Sequence, residues 1–497
     1  MVGNSMGHLR PGVSGMSVYV PALRVPLEAW CAWTKNPWPK VQAVVGQSFR
    51  CPAPDESVYT LAATAVLRLI RNYGVDPARV GYLALGTETS TDNSAGAVIV
   101  RGMVDRALEE LGLPRLSRAC EVPEIKHACL GGVYGMKAAA RYLALDGADR
   151  VAIVVSSDIA EYERGSSGEQ TQGAGAVALL LEPRARLFEL DLAHSGSASQ
   201  YRGPDFRKPH ARHRVSGYAE RTQRLHDFPV FSGKYSTYSY VEETIRAFEE
   251  MVRRLGVPAM DALRGPTALF FHRPYHHMPI QAVGYLYLRA LLESPGDSET
   301  VAKLCAEVSA SPEALRTEAG SNPDLYGRVL AGEGEIDPFH VTSQVVGALR
   351  KGAEFKAFLE AKMSLGSRGA AELGNLYTAA LPAWMAAGFE EAVSRGTDLT
   401  EKRVLAVGYG SGDAAEAIPV RVTPDWEESA KRIGFNAALS PSVDLTQAQY
   451  ESLHDTRTAE GLPQIAVPGG RFRIVSTGKR HEASFQDLAI DYYEYAR

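Results

Sequence analysis

Cys129 lies in EIKHACLGGVYGMKAAARYLA, directly ahead of two glycines and an amphipathic helical pattern. A thiol at a helix N-terminus meets the positive end of the dipole and free N–H groups, which favour its thiolate and can polarise a thioester carbonyl formed on it. The glycines would leave room for an acyl group and its thioester arm to approach the backbone. Glu88, in LGTETSTDNSAG, follows an apolar strand. A carboxylate at the rim of an apolar site has its pKa raised and serves as a general base or acid. His272 closes the run ALFF in FFHRPYHHM, held by Pro274, where it can hydrogen-bond a carbonyl or move a proton. Each has an ordinary alternative: a packed core thiol, a loop carboxylate or cap, a satisfied core histidine. Asp92 reads as a cap.

Other chemistries find less support. His276 and His277 are adjacent and do not share a face as metal ligands do, and no HExxH spacing occurs, so no metal is expected. GYGSG (408 to 412) lacks the long helix and later acidic residue of a dinucleotide loop. It reads instead as close-approach glycines with N–H groups aimed at an oxyanion or a pantetheine arm. Neither GxxxxGK[ST] nor GxSxG around a serine is present. The basic stretch 201 to 224 would suit phosphates or an acidic carrier protein, or is a solvated loop.

The elements that must position these residues are those of an α/β fold. Apolar runs at 81–88, 150–158, 176–182, 268–274, 403–412 and 417–422 read as buried strands, with helical patterns between them. Their order occurs twice. A strand ends at Glu88, a helix opens at Cys129, and strands 150–158 and 176–182 follow. A strand ends at His272, a helix opens near Asn375, and strands 403–409 and 417–422 follow. Two related halves are expected, with polar residues at strand ends where open α/β sheets hold ligands. The part from about 283 to 372 is charged, helical and broken by turns, and reads as a solvent-facing insertion.

The 497 residues, 45% hydrophobic and 22% charged, can bury a large core. A net charge of -5 with no basic tail speaks against nucleic acid. No apolar run is long enough for a membrane span, and the N-terminus lacks the apolar core of a signal peptide. Five cysteines without a CxxC pair fit a reducing cytoplasm.

The ordered set Glu88 in TETSTD, Cys129 in KHACLGG, SSDIAEY, SSGEQTQGAGAVALLLE, His272 in FHRPY, GNLYTAAL and GYGSG resembles the hydroxymethylglutaryl-CoA synthase family of the thiolase superfamily. DFRKP and FSGKYSTYSYVEETIRAF add to the likeness, which covers most of 14–283 and 365–425 and lapses in between. The resemblance implies a five-layered αβαβα fold in two duplicated halves, 14–185 and 186–497, the second interrupted at about 285–360, and a homodimer. It implies that Cys129 takes an acetyl group, that Glu88 removes a proton from its methyl, and that the carbanion attacks the ketone of an acetoacetyl thioester held near His272. Water then releases the product, and no cofactor is needed. Tyr162, Thr171, Asn375 and Ser411 match positions lining the substrate.

Three departures bear on the substrate. Gly408 replaces the usual serine, Gln170 the usual proline, and His277 the lysine that helps hold coenzyme A. A mostly neutral histidine attracts phosphate less. The resemblance therefore allows acetyl-CoA and acetoacetyl-CoA as substrates, as in mevalonate supply, or acyl-carrier-protein equivalents, as in polyketide β-branching. A ketoacyl synthase or acyltransferase relative is disfavoured by Glu88, and a non-catalytic scaffold has no need of the three residues together. The stretch 423–497 suggests no role.

Overall fold

The computed structural model describes residues 10–207, 228–230, 232–334 and 337–497. Among these, ten strands join into one sheet. They are β1 (Gly12–Tyr19), β2 (Val80–Gly86), β3 (Glu124–Ile125), β4 (Val151–Ala160), β5 (Gly173–Glu182), β6 (Phe188–Leu190), β7 (Gly196–Ser199), β8 (Ala268–Phe271), β9 (Arg403–Gly410) and β10 (Ala414–Val422). Their order is β8-β9-β10-β6-β1-β5-β4-β2-β3, with β7 beside β10. β1 pairs antiparallel with β5, β5 antiparallel with β4, and β4 parallel with β2. The same directions recur on the other side: β6 antiparallel with β10, β10 antiparallel with β9, and β9 parallel with β8.

The central strands are apolar without alternation because helices cover both faces. β1 and β2 are buried along their whole length. One outer layer contains α1 (Val58–Tyr73) and α2 (Gly96–Glu110). α1 starts at a capping box between Ser57 and Thr60 and stops at Gly74 in the left-handed conformation. The middle layer contains α3 (Gly131–Ala144) and α6 (Ala380–Arg395), and the other outer layer α4 (Lys234–Leu255) and α5 (His277–Glu293). α6 packs on β1 as well as on β8 and β9, and α3 on β2 and β4. Lys137 of α3 also forms a buried ion pair with Glu416 of β10 at 2.6 Å. The result is the α/β arrangement αβαβα.

The elements end slightly earlier or begin later than the apolar runs suggest. β2 stops at Gly86, leaving Thr87 and Glu88 beyond it, and β8 stops at Phe271, one residue before His272. α3 begins two residues after Cys129, and Asn375 precedes a short 3-10 turn, Tyr377–Ala379, that leads into α6.

The segment expected as a solvent-facing insertion differs more. Residues 285–293 are the second half of α5, and the helices Ser298–Glu307, Pro312–Gly320, Leu325–Leu330 and His340–Leu349 follow. They bury Val301, Leu315, Leu325 and Val345 in the main core. The frequent turns and charges hide this, because short helices of a few turns each bring only a few apolar residues inward.

Residues 423–497 wrap back onto the first half. Val443 and Asp444 pair with Leu23 and Arg24. A further helix, α7 (Gln447–Thr456), follows. Two final strands, β11 (Arg471–Thr477) and β12 (Asp491–Ala496), lie against α1 and α2, where Phe472 is buried. Among the described residues no helix is long and apolar enough to cross a membrane.

Candidate active site

The ends of β2, β4, β8 and β9 converge on the start of α3. Cys129 is 7% exposed, and the N-terminus of α3 carries no side-chain cap. Uncapped first-turn N–H groups and the helix dipole stabilise negative charge beside the sulfur. Ala128, immediately before it, has φ of +40°, an uncommon conformation for a residue with a Cβ and one that clusters at functional sites. Cys129 Sγ lies 3.4 Å from Glu88 Oε2.

Glu88 is held by its backbone. Asp158, at the end of β4 and fully buried, accepts from Glu88 N–H at 2.8 Å, Thr89 N–H at 2.9 Å, and the hydroxyls of Thr87 and Thr89 at 3.0 and 2.7 Å. Its other oxygen accepts from Thr378 N–H at 3.0 Å and Thr378 Oγ1 at 2.5 Å. One carboxylate thus ties the Glu88 turn to the approach to α6. Burial raises its pKa, against the hydrogen bonds that lower it. Asp92 caps the next turn, accepting from Ser94 and Ala95 N–H.

His272 is 2% exposed. Phe271 pairs with Val407, and one further ladder bond, from His272 N–H to the Val407 carbonyl at 2.7 Å, fixes its backbone. Its own carbonyl accepts from Tyr240 Oη at 2.9 Å, and its ring stacks on Tyr409. Burial pushes its pKa down to about 3. The imidazole is therefore neutral near pH 7 and acts as a hydrogen-bond donor or acceptor, not as a cation.

A cavity of about 290 Å³ is lined by Cys129, His272, Tyr162, Thr171, Asn375 and Ser411, all singled out from the sequence. Asn375 Nδ2 donates to Tyr162 Oη at 3.4 Å, and its Oδ1 accepts from Tyr377 N–H at 2.9 Å. Thr171 donates to the Gly168 carbonyl, and its own carbonyl accepts from Asn375 N–H. His277 is not part of this lining. It is half-buried at the start of α5 with its Nδ1 3.4 Å from Arg350, and burial, with the Arg350 charge, lowers its pKa to about 4.

Two readings of glycine change. A Cβ on Gly131 would strike the Ile125 carbonyl and one on Gly132 would strike Ser156. The pair lets α3 sit tightly on the sheet, so the space beside it is filled by protein and not by an acyl group. Gly408 and Gly410 likewise admit Leu130, Val133 and His127, so GYGSG seats the start of α3. Ser411 is the residue of that motif that reaches the cavity.

Sequence reasoning missed Asp158, Tyr377, Tyr409 and Lys234. Asp158 had a signal, a lone acid closing a long apolar strand in RVAIVVSSD. Tyr377 packs with Cys129, Tyr162 and Phe206, and Lys234 lines the cavity. The aromatic residues looked like core, which they also are. Most of the basic stretch 201–224 lies outside the described residues; within its described part Arg202 and Asp205 are buried. Among the described residues no cluster of three His, Cys, Asp or Glu could hold a metal.

Residues 10–186 match the family model described as hydroxymethylglutaryl-coenzyme A synthase N terminal. The chain is 26% identical to a hydroxymethylglutaryl-CoA synthase of Haloferax volcanii, over 87% of this chain and 88% of that one. It superposes on the structure of MvaS in complex with 3-hydroxy-3-methylglutaryl coenzyme A with a TM-score of 0.73 and 26% identity, covering 98% and 99% of the two chains. The HMG synthase of the curacin biosynthetic pathway, in complex with acetyl donor-ACP, shares the fold with a TM-score of 0.68 at 19% identity, covering 98% and 100%.

Proposed function

This chain belongs to the hydroxymethylglutaryl-CoA synthase family and is a condensing acyltransferase, and we propose that it joins an acetyl group carried on Cys129 to acetoacetyl-CoA. The observation that carries this is the 3.4 Å approach of Glu88 to Cys129 at an uncapped helix N-terminus, Cys129 and His272 lining one cavity.

In this reading Cys129 Sγ attacks the carbonyl of acetyl-CoA, and the departing coenzyme A leaves as its thiol with the proton the cysteine gave up. Forming acetyl-Cys129 splits the reaction into easier steps. Glu88, already beside the sulfur, takes a proton from the acetyl methyl. The carbanion adds to the acetoacetyl ketone, and the neutral His272 ring donates a hydrogen bond to the oxygen as it gains charge. That oxygen then takes the proton back from Glu88. Water finally cleaves the Cys129 thioester, releasing the hydroxymethylglutaryl thioester and the free thiol. Tyr162, Thr171, Asn375 and Ser411 shape the cavity around the two acyl groups.

A second reading, in which an acyl carrier protein presents the acyl groups, is favoured by one observation. His277, in place of the family's lysine, lies outside the cavity lining beside Arg350. We further read the chain as two halves meeting near residue 185 and as a homodimer, from the family resemblance, and as cytoplasmic, from five cysteines without a CxxC pair. The carrier is tested by assaying product release with acetoacetyl-CoA and with acetoacetyl carrier protein in parallel. Turnover of the coenzyme A ester at a comparable or higher kcat/KM supports the first reading; turnover restricted to the carrier-bound ester replaces it with the second.

A further inference from the structure

Residues 161–172 leave β4 and return into β5, and on the way bring Tyr162, Gly168 and Thr171 to the cavity. The outer side of this loop is held by α7, from the C-terminal stretch. α7 is a well-made helix, opened by a capping box between Thr446 and Gln449. Tyr450 and His454 are four residues apart and share one face.

Between them they hold both backbone polar groups of Tyr162. His454 Nε2 is 2.8 Å from the Tyr162 carbonyl, to which it donates. Tyr162 N–H donates to Gln172 Oε1 at 3.0 Å, and Gln172 Nε2 donates to Tyr450 Oη at 2.8 Å. Tyr450 Oη in turn donates to Glu169 Oε1 at 2.7 Å. Tyr450, His454 and Gln172 are each 3% exposed and Glu169 is 4% exposed, so water does not compete for these bonds. Around them, Arg164 makes a two-pronged pair with Asp455 at 2.9 and 2.6 Å, and Arg457 pairs with Glu161 at 2.7 Å. The side chain fixed in this way belongs to the same buried cluster as Cys129 and lines the same cavity.

We propose that α7 is a clamp that sets Tyr162 against Cys129, with Tyr450 and His454 as positioning residues for the chemistry at the thiol. This rests on the reading of Cys129 as the nucleophile. Nothing in α7 lines the cavity, so any effect passes through the loop it holds, and the clamp assigns that effect to Tyr162.

The test uses the full chain with Tyr450→Phe, His454→Leu, their combination, His454→Gln, and each again in a Tyr162→Ala background. Steady-state kinetics and the rate at which iodoacetamide alkylates Cys129 are both measured. The combined variant is expected to lose kcat by about tenfold or more with KM changed less than about threefold. His454→Gln, which keeps an N–H donor, should recover most of the His454→Leu loss. In the Tyr162→Ala background the same changes should add almost nothing, because there is no ring left to position. Unchanged kcat, or losses that multiply undiminished in that background, would overturn the clamp. If the combined variant does not fold, Tyr450→Phe, which removes a single oxygen, carries the same comparison. If the unmodified protein forms no acetyl-Cys129, the functional reading fails, but alkylation still decides the clamp: a rate altered by the α7 changes only when Tyr162 is present upholds it, and an unaltered rate overturns it.

Discussion

Cys129 Sγ and Glu88 Oε2 stand 3.4 Å apart although 41 residues separate them in the chain. Neither the loop nor the helix start could arrange this alone. Asp158 anchors the turn at Glu88, while the tight seat of α3 on the sheet places Cys129. A nucleophile and a base held by separate rigid supports can act in successive steps on one acyl group.

Glu88→Gln keeps the shape of the side chain and removes the base. Condensation should fall by about 10²- to 10⁴-fold, while acetyl-Cys129 still forms and accumulates. Rapid-quench mass measurement of acetylated protein, beside product release, checks this. Loss of acetylation in parallel with condensation would move Glu88 to the first step.

His272→Ala would remove the donor proposed for the acceptor ketone, so kcat should fall by about 10²- to 10³-fold. Because burial lowers the pKa of His272 to about 3, the pH–rate profile of the unmodified enzyme should show no inflection from this ring between pH 5 and 8. An inflection near 6.5 that disappears in the variant would contradict the neutral-donor role.

Asp158→Asn puts an amide N–H where a carboxylate oxygen now accepts several bonds. The expected cost is about 2–3 kcal/mol of stability, read by urea denaturation. Thr378→Ala should cost less when Asp158 is already changed, since the two share a bond.

Acid should cost the fold what its neutral buried histidines contribute. His272 is lowered to about 3, and His276 and His277 each to about 4, in every case chiefly by burial. A histidine with a depressed folded pKa leaves stability intact above its unfolded pKa of 6.5 and lost as pH falls toward the folded value. Glu243, raised to about 7 by burial, has the opposite sign, its contribution lost as pH rises from 4.5 to 7. These imidazoles, with His127 also lowered by burial, give a fall in melting temperature from pH 6.5 to 4 that is opposed by Glu56, Asp158, Glu243, Glu293 and Asp413, all raised by burial. The double variant His276→Gln, His277→Gln should flatten that fall.

The proposed trio stood out in the sequence because each residue sits at a change of pattern: Glu88 and His272 where apolar runs stop, Cys129 just ahead of two glycines where a helix starts. The α/β class followed from continuous apolar strands between helical periods. The glycines were legible as close-approach positions, but not what approaches them, since that depends on which helix the sheet receives. Tyr162 and Asn375 came from motif likeness, whereas Asp158 and Tyr377 act through contacts between segments more than 200 residues apart in the chain. α7 left no signal of where it docks, because a short capped helix looks the same wherever it packs.

The most direct test is the intact mass of the protein after mixing with acetyl-CoA and, separately, with acetyl carrier protein, Cys129→Ser being run alongside. The account predicts that at least one donor adds a single acetyl group, that the serine variant loses it, and that acetoacetyl thioester then discharges it as a hydroxymethylglutaryl product. No acetyl group from either donor, or one that persists in Cys129→Ser, would contradict it.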